Sequence, residues 1–296
     1  MRELTALEKH AYLKQKQSMP LEMKVKMTLD RIREALDKHN CYISFSGGRD
    51  SMVLRHLVLS KNKDVPVVFC NTGVEWPSVK ALGLKYATEV LKPHKPFAKI
   101  VREYGYPAIS KDVSQKLYEI RTTNSYTHLI GRLNGDIKGN GKLPECYRYL
   151  IGSKHKLSHK CCDYMKKKPF KKYERETGRL PFIGTMADDS RNRQTAYMDH
   201  GCNNFDSKRP TSSPLGFWLH SDIKEYTESR GLEVASIYDR VEHTGCMYCL
   251  FGCRHQDFDK TELIRELSKK HYRYAQAVGM VEINKYIRSE GHPTLF

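Results

Sequence analysis

No run of the 296-residue sequence approaches 18 consecutive apolar residues, so no transmembrane helix is expected. The N-terminal stretch MRELTALEKHAYLKQKQSMP lacks the apolar h-region of a secretory signal, and a cytoplasmic location follows as the expectation. Acidic residues are scarce beside basic ones: 34 Asp and Glu face 51 Lys and Arg, a formal net charge of +17. That excess favours a polyanionic partner, nucleic acid first, unless it is only a lysine-rich solvated surface. The nine cysteines are an odd number, which does not suit a closed disulfide framework. Six of them lie beyond residue 160, and clustered thiols in a reducing compartment more often bind metal or do redox chemistry. There is no internal repeat. At 39% hydrophobic and 29% charged residues, the chain reads as one large globular domain or two small ones.

The chain is punctuated as alternating strands and helices. Residues 1–38 read as a basic helical arm or lid, with Leu21, Val25, Met27, Leu29, Ile32 and Leu36 at helical spacing. A strand is expected at 41–45, a helix from about 50 to 60, and a buried strand at 65–71. A helix at 76–91, a third strand at 97–101 (FAKIV) and a helix at 113–121 follow. The polar, glycine-rich stretch 122–145 reads as a long loop or disordered insert. A strand is expected at 180–187, a helix at 221–231 with a Gly stop, and a mostly helical tail over 259–290. This order argues for an α/β fold with a mainly parallel sheet. The expected division is a helical arm (1–38), a nucleotide and cysteine domain (39–258) and a helical tail (259–296).

In YISFSGGRDSMVL, residues 42–54, an apolar strand stops at Ser46-Gly47-Gly48-Arg49-Asp50-Ser51 and a helix begins. Two glycines let backbone N–H groups approach an anion, the helix N-terminus adds partial positive charge, and Ser46, Ser51 and Arg49 add donors. Read blandly, it is a turn with Asp50 or Ser51 as helix cap. No Gly-Lys-Ser/Thr closes it, so it is not a Walker A loop.

The strand–SGGRDS–helix unit resembles the PP-loop of ATP pyrophosphatases and of the sulfonucleotide (PAPS/APS) reductase family. VVFCNTGVEWPS (67–78) is similar to that family's V-F-x-D-T-G-x-E-F/Y-P strand, with Asn71 where Asp is usual. GTMADDSRNR (184–193) is similar to its Gly-x-x-x-x-D/E/Q-Ser-x-x-Arg element, and YGYPAISKDVSQ (104–115) also looks like family sequence. The resemblance covers roughly residues 38–255. It implies a three-layer, Rossmann-like PP-loop fold and an adenine-nucleotide site at Ser46, Gly47, Gly48, Arg49, Asp50, Ser51, Thr72, Gly73 and Arg193. Arg49, Asp50 and Arg193 are its implied catalytic residues at the phosphate, and magnesium is a further candidate. Without the resemblance, Arg193 reads as a surface salt bridge.

HKCCDYMKKKP supplies Cys161-Cys162, and TGCMYCLFGC supplies Cys246-x-x-Cys249 and then Cys253. Thiolates suit zinc or iron–sulfur clusters, and a lone CxxC does not choose between zinc, cluster and redox dithiol. Adjacent cysteines are not a usual zinc spacing. A Cys-Cys pair followed after 83 residues by CxxC resembles the [4Fe–4S] motif of APS reductases. That resemblance implies Cys161, Cys162, Cys246 and Cys249 as cluster ligands. Zinc with His159 or Cys253, or unligated buried thiols, are the competing readings. Eight lysines between 154 and 172 would offset the charge of a cluster and a nucleotide, or simply face solvent.

The reductases carry their nucleophile in a C-terminal Glu-Cys-Gly segment. Here the last residues are NKYIRSEGHPTLF, and no cysteine follows Cys253. Cys253 is then the candidate substitute nucleophile. Cys202 is a second candidate, or else a small buried hydrophobe. Three functions remain in view: an ATP-using, adenylating sulfur transferase with a nucleic-acid acceptor; an APS or PAPS reductase with an atypical thiol; and a non-catalytic nucleotide or nucleic-acid module. Partners expected are an adenine nucleotide, a nucleic-acid acceptor, and a sulfur donor or thioredoxin-like reductant. No membrane is expected, and an oligomer is compatible.

Overall fold

The computed structural model describes residues 5–136, 139–253 and 259–290. Gly291, which follows Glu290 where the reductases' Glu-Cys-Gly segment might be expected, lies outside them. Two compact units form, each from several chain segments. The first comprises Met1–Asn71, Trp76–Lys92 and Phe170–Thr244, and the second Thr72–Glu75, Pro93–Pro169 and Gly245–Phe296.

The strands are β1 (Cys41–Phe45), β2 (Val67–Cys70), β3 (Glu89–Leu91), β4 (Ala108–Ile109), β5 (Leu180–Ile183), β6 (Asn203–Asn204), β7 (Thr211–Ser212) and β8 (Leu250–Phe251). In the first unit they form one sheet in the order β3-β2-β1-β5-β7-β6, parallel except for the β6–β7 pair. Strand β1 lies at its centre, with Ile43 opposite Val67 on one side and Phe182 on the other. Side chains alternate across a strand, so β1 feeds two cores. Cys41, Ile43 and Phe45 join the large cluster containing Val53, Leu57 and Trp218. Tyr42 joins Val68 and Tyr173 on the opposite face. This is the expected three-layer α/β arrangement.

The two N-terminal helices, Ala6–Gln17 and Leu21–Lys38, pack into the large core through Leu13, Ile32 and Ala35. The deepest stripe of the second helix is Lys24, Thr28, Ile32 and Ala35, flanked by the apolar positions that the periodicity singles out. Its two polar members are buried because both are satisfied. Lys24 Nζ reaches both carboxylate oxygens of Asp222, at 2.8 and 2.7 Å, and Thr28 Oγ1 accepts from Trp218 Nε1 at 2.8 Å. Asp222 Oδ2 also accepts the Leu219 N–H, capping the helix His220–Ser229.

Four expectations change. The strand expected over 180–187 ends at Ile183, and a short helical turn, Ala187–Asp189, follows. The helix after Pro77 ends at Tyr86, and its expected last turn is strand β3. FAKIV is not a strand but the start of the helix Phe97–Tyr104. Phe97 and Ile100, three residues apart, are its buried face, and Pro96 precedes its first turn. The stretch 122–145 contains a helix, Tyr126–Asn134, capped by the Ser125 side chain. It is tied down by Arg132 on Glu119 at 2.6 Å and by the Leu143 N–H on the Arg132 carbonyl at 2.7 Å. Arg121 braces the chain that follows, donating to the carbonyls of Leu150, Ser153 and His155. No described helix is long and apolar enough to cross a membrane.

Lys24→Ala leaves the Asp222 carboxylate buried beside a void. It is expected to destabilise the protein by about 3–5 kcal/mol in denaturant unfolding. The double variant Lys24→Met with Asp222→Leu is expected to recover most of that loss, and equal losses in the single and double variants would contradict this origin.

Candidate functional site

In an open parallel sheet, ligands bind beyond the carboxyl ends of the strands where the strand order reverses. From β1 the chain goes outward through β2 and β3, then returns to the other side of β1 as β5. The reversal therefore lies between the ends of β1 and β5. The loop 46–51 leaves one and the segment 184–193 leaves the other. The two are close: a Cβ on Gly184 would sit 3.4 Å from the Asp50 carbonyl oxygen.

Gly47 has φ +75°, and a Cβ there would come 2.3 Å from the Val79 carbonyl oxygen. Both conformation and space therefore demand glycine. The loop is held by its own hydroxyls: Ser46 Oγ lies 2.9 Å from Ser51 Oγ and accepts the Gly48 N–H at 3.2 Å. Ser51 Oγ donates to the Gly48 carbonyl at 2.9 Å and accepts the Ser46 N–H at 3.2 Å. Gly48 caps the helix Arg49–Leu59, whose first-turn N–H groups carry partial positive charge. The Arg49 N–H donates to the Tyr238 hydroxyl at 3.0 Å, and the Arg49 guanidinium lies 4.3 Å over the Tyr238 ring. Tyr238 OH in turn lies 2.9 Å from Thr244 Oγ1. Sequence reasoning missed Tyr238 and Thr244, which carry no motif and lie nearly 200 residues beyond the loop they hold.

The charged groups around the loop are of both signs. Burial, then the charge of Asp189, hold the Asp50 carboxyl above its ordinary range, against the pull of His220, Arg49 and His243. His220 Nε2 lies 3.6 Å from Asp189 Oδ1, and the rings of His220 and His243 are 4.6 Å apart. Arg193 pairs with Asp189 and is half-exposed, so the bland salt-bridge reading also describes its contact. It lines a cleft of about 120 Å³ with Thr185, Tyr197, Cys202 and Ser213. Cys202 is buried there, and burial pushes its thiol up to about 11.

In the second unit, Thr72 and Gly73 form a turn closed by their neighbour Glu75. Its carboxylate accepts the Gly73 N–H at 3.0 Å and is bonded by the Thr72 hydroxyl. The next residue, Val74, accepts the Met247 N–H at 2.7 Å, so this turn and the Cys246-x-x-Cys249 loop are joined. The loop is further set by β8 pairing with β4, by Tyr106 OH donating to the Tyr248 carbonyl at 2.6 Å, and by Lys260 Nζ on the Cys249 carbonyl at 3.0 Å. Ile109, in β4, takes φ +67°, a costly conformation for a β-branched residue.

Cys161 and Cys162 close a short helix (Lys160–Cys162) that passes directly into a π-turn over Asp163–Lys167. Such turns are rare and concentrate at functional sites. The two sulfurs are 4.0 Å apart, although adjacent residues commonly diverge. The hydrogen bond between them, then burial and the charges of Cys162, Cys249 and Cys246, push the Cys161 thiol far up. The same hydrogen bond, with Lys166 and Lys111, lowers the Cys162 thiol against the cost of burial. Burial and then Cys246 push Cys249 up to about 12, and Cys246 in turn raises Lys166. The four cysteines expected as ligands thus lie in one unit and within one another's electrostatic reach. Cys253 is 3% exposed. All nine thiols are free of disulfides.

Two variants test the loop. Gly47→Ala is expected to cost at least about 1–3 kcal/mol of stability through its positive φ alone, and to abolish adenine-nucleotide binding in calorimetry. Asp50→Asn is expected to raise Tm at neutral pH. With its folded pKa above the unfolded one, Asp50 penalises folding fully only above both values, and not at all in acid, where both states are protonated. The Tm advantage of the variant should vanish below about pH 3. An advantage independent of pH would refute this origin.

The description "Phosphoadenosine phosphosulfate reductase domain" matches residues 40–256. Among solved structures, the chain is similar to phosphoadenylyl-sulfate (PAPS) reductase from Candida auris in its phosphate complex. The identity is 14% and the TM-score 0.43, over 83% of this chain and 96% of that one. It is also similar to the U34-tRNA thiolase NcsA from Methanococcus maripaludis with its [4Fe-4S] cluster, at 16% identity and TM-score 0.40, over 93% of this chain and 82% of that one. No curated protein sequence matches the chain. The family match spans most of the sequence and agrees with the parallel sheet and the glycine loop at its reversal point. The protein belongs to the phosphoadenosine phosphosulfate reductase domain family, a family of enzymes that bind adenine nucleotides and handle sulfur.

Proposed function

We propose that the protein is an adenylating sulfur transferase that acts on a nucleic acid and carries a [4Fe–4S] cluster. The observation that carries this reading is the state of the thiols outside the proposed ligand set. Of these five, Cys41, Cys70, Cys202 and Cys253 are buried, and burial holds Cys41 and Cys202 high, up to about 12 and about 11; Cys146 is half-buried, and none of the five lies on the segments 46–51 and 184–193 at the strand reversal. A sulfonucleotide reductase needs a reachable thiolate to attack sulfur. A transferase that draws sulfur from a separate donor does not.

In the proposed reaction ATP lies against the loop 46–51, its phosphates facing the amide groups of the helix start. Arg49 and Arg193 offset charge as an acceptor oxygen attacks the α-phosphorus and pyrophosphate leaves. The acceptor oxygen now bears AMP, and a hydrosulfide equivalent from a sulfur donor displaces it, leaving sulfur on the acceptor and releasing AMP. Asp50 and Asp189 repel each other in this site, and a nucleotide-bound magnesium ion would relieve that repulsion.

Cys161, Cys162, Cys246 and Cys249 would hold the cluster. Four thiols within one another's electrostatic reach supply the thiolate set that such a cluster needs. Lys166 and Lys111 would offset its negative charge. Bound there, the cluster supplies a thiophilic centre for sulfur handling.

The second reading is an APS or PAPS reductase, favoured by the Cys-Cys and CxxC spacing, with Cys253 as a nucleophile that must first be uncovered. One experiment separates the two. Anaerobically purified protein given ATP, a sulfide donor and RNA or DNA is expected to release AMP and pyrophosphate and to label the nucleic acid with sulfur. Arg49→Ala should lower that rate by about 100-fold or more. Sulfite release from APS or PAPS with thioredoxin, and no AMP from ATP, would overturn the first reading. The protein should be brown with about four irons per chain, and Cys161→Ser or Cys249→Ser should remove the colour. Stoichiometric zinc would refute the cluster.

A further inference from the structure

We propose that the segment 93–169 presents a docking surface for single-stranded nucleic acid, built on Tyr104, Tyr118 and Tyr164 with Lys95, Lys160 and Lys168. The partner class rests on the proposed function; the location rests on the side chains themselves.

Charge is the first argument. Residues 93–169 contain sixteen Lys and Arg against six Asp and Glu, an excess of +10 within a chain whose total is +17. About a quarter of the sequence thus carries more than half of the net charge. Such concentration is the electrostatic footprint of a phosphate backbone partner.

The second argument is how the charge is arranged. Tyr104 and Tyr164 stack with centroids 5.0 Å apart at 24°, and their hydroxyls are 2.7 Å apart. Tyr118 adjoins Tyr104 at 6.4 Å. All three are partly exposed rather than packed into a core. Lysines cover their faces: Lys168 Nζ lies 3.6 Å from the Tyr164 centroid, Lys95 lies 5.4 and 5.2 Å from Tyr104 and Tyr164, and Lys160 lies 5.1 Å from Tyr118. A merely solvated lysine face has no need of stacked tyrosines. Ammonium groups over half-exposed aromatic rings can instead move to phosphates while unpaired bases take their place on the rings. Acidic residues pair with several cations of the segment, Glu103 with Lys95 at 2.5 Å, Asp112 with Lys116 at 2.6 Å, Glu119 with Arg132 at 2.6 Å, Glu145 with Lys142 at 3.7 Å, Asp163 with Lys167 at 2.8 Å and Glu282 with Lys154 at 2.8 Å, and none of them pairs with Lys160 or Lys168.

Stacking requires unpaired bases, so the fit is to a single strand or a loop rather than a duplex. Lys160 and Tyr164 bracket the Cys161-Cys162 pair in the chain, so a bound strand would run beside the thiols.

The test uses the full-length protein without ATP. Fluorescence anisotropy is measured with a labelled, unstructured RNA of about 20 nucleotides, DNA of the same sequence, and the corresponding duplex. Single strands should bind, with affinity falling steeply with salt. Tyr164→Ala should weaken binding about fivefold or more, and Lys168→Gln should reduce the salt slope by about 0.7. Lys85→Gln, a surface change in the first unit, should do neither. If Tyr164→Ala melts early, the charge reversal Lys168→Glu still reads the surface. Binding unchanged in Tyr164→Ala and Lys168→Glu, or a duplex bound as well as the single strand, would overturn the proposal. The RNA and DNA arms identify the favoured strand. Loss of binding in the variants without AMP formation by the native protein would leave the surface standing and remove the transferase reading. AMP formation that persists with variants binding normally would do the reverse.

Discussion

Two backbones touch at the carboxyl end of the central strand, and much of the first unit is arranged around that contact. A Cβ on Gly47 would lie 2.3 Å from the Val79 carbonyl oxygen and 3.0 Å from the Gly83 nitrogen. A Cβ on Gly83 would lie 2.6 Å from the Phe69 ring. The helix Pro77–Tyr86 can therefore lie directly on β2, and the loop after β1 can lie directly on the helix. With the loop pinned on that side, its hydroxyls and the Tyr238 contact set the remaining amide directions. The Ile237 N–H donates to Ser78 Oγ at 3.3 Å, so the helix start also anchors the segment that carries Tyr238. An anion site made of backbone amides needs this rigidity, because its donors have no rotamers with which to adapt.

The second unit solves a different problem. It must hold two thiol pairs that are far apart in sequence with very little sheet. Strands β4 and β8 contribute only two residues each. The rest is done by individual bonds: Tyr106 on the Tyr248 carbonyl, Met247 on Val74, and Arg121 on four carbonyls of the chain leading to the Cys161-Cys162 turn. Ile109 sits at positive φ within this arrangement, and its carbonyl accepts the Gly252 N–H at 2.6 Å beside the CxxC loop. Strain of that kind persists only where surrounding contacts over-determine the backbone.

Much of this is legible in the residues alone, for identifiable reasons. The loop 46–51 and the order of strands can be found because glycine, hydroxyl and apolar runs follow local rules. FAKIV misleads because five mostly apolar residues fit a buried strand and a short helix equally well, and only packing of Phe97 and Ile100 on one side decides. The helix at 126–134 is hidden because it has no buried residue to leave a periodic trace. Lys24 and Thr28 stand outside the apolar set at helical spacing, yet each is buried because a partner more than 180 residues away satisfies it. Tyr238, Thr244 and His243 reach the loop region only through the folded chain, so no spacing could announce them.

The sequence by itself determined the family, the α/β alternation, the glycine loop and the set of cysteines available as ligands. These rest on residue type and short-range spacing, which chain geometry converts directly into strand, turn and helix. Tertiary structure decided which charges surround Asp50, that Cys202 and Cys253 are buried, that the sulfurs of adjacent cysteines lie 4.0 Å apart, and that lysines and tyrosines of 93–169 interleave. Each of these depends on distances between groups that the chain alone leaves free. Burial and electrostatics are properties of surroundings, and only the folded chain supplies surroundings.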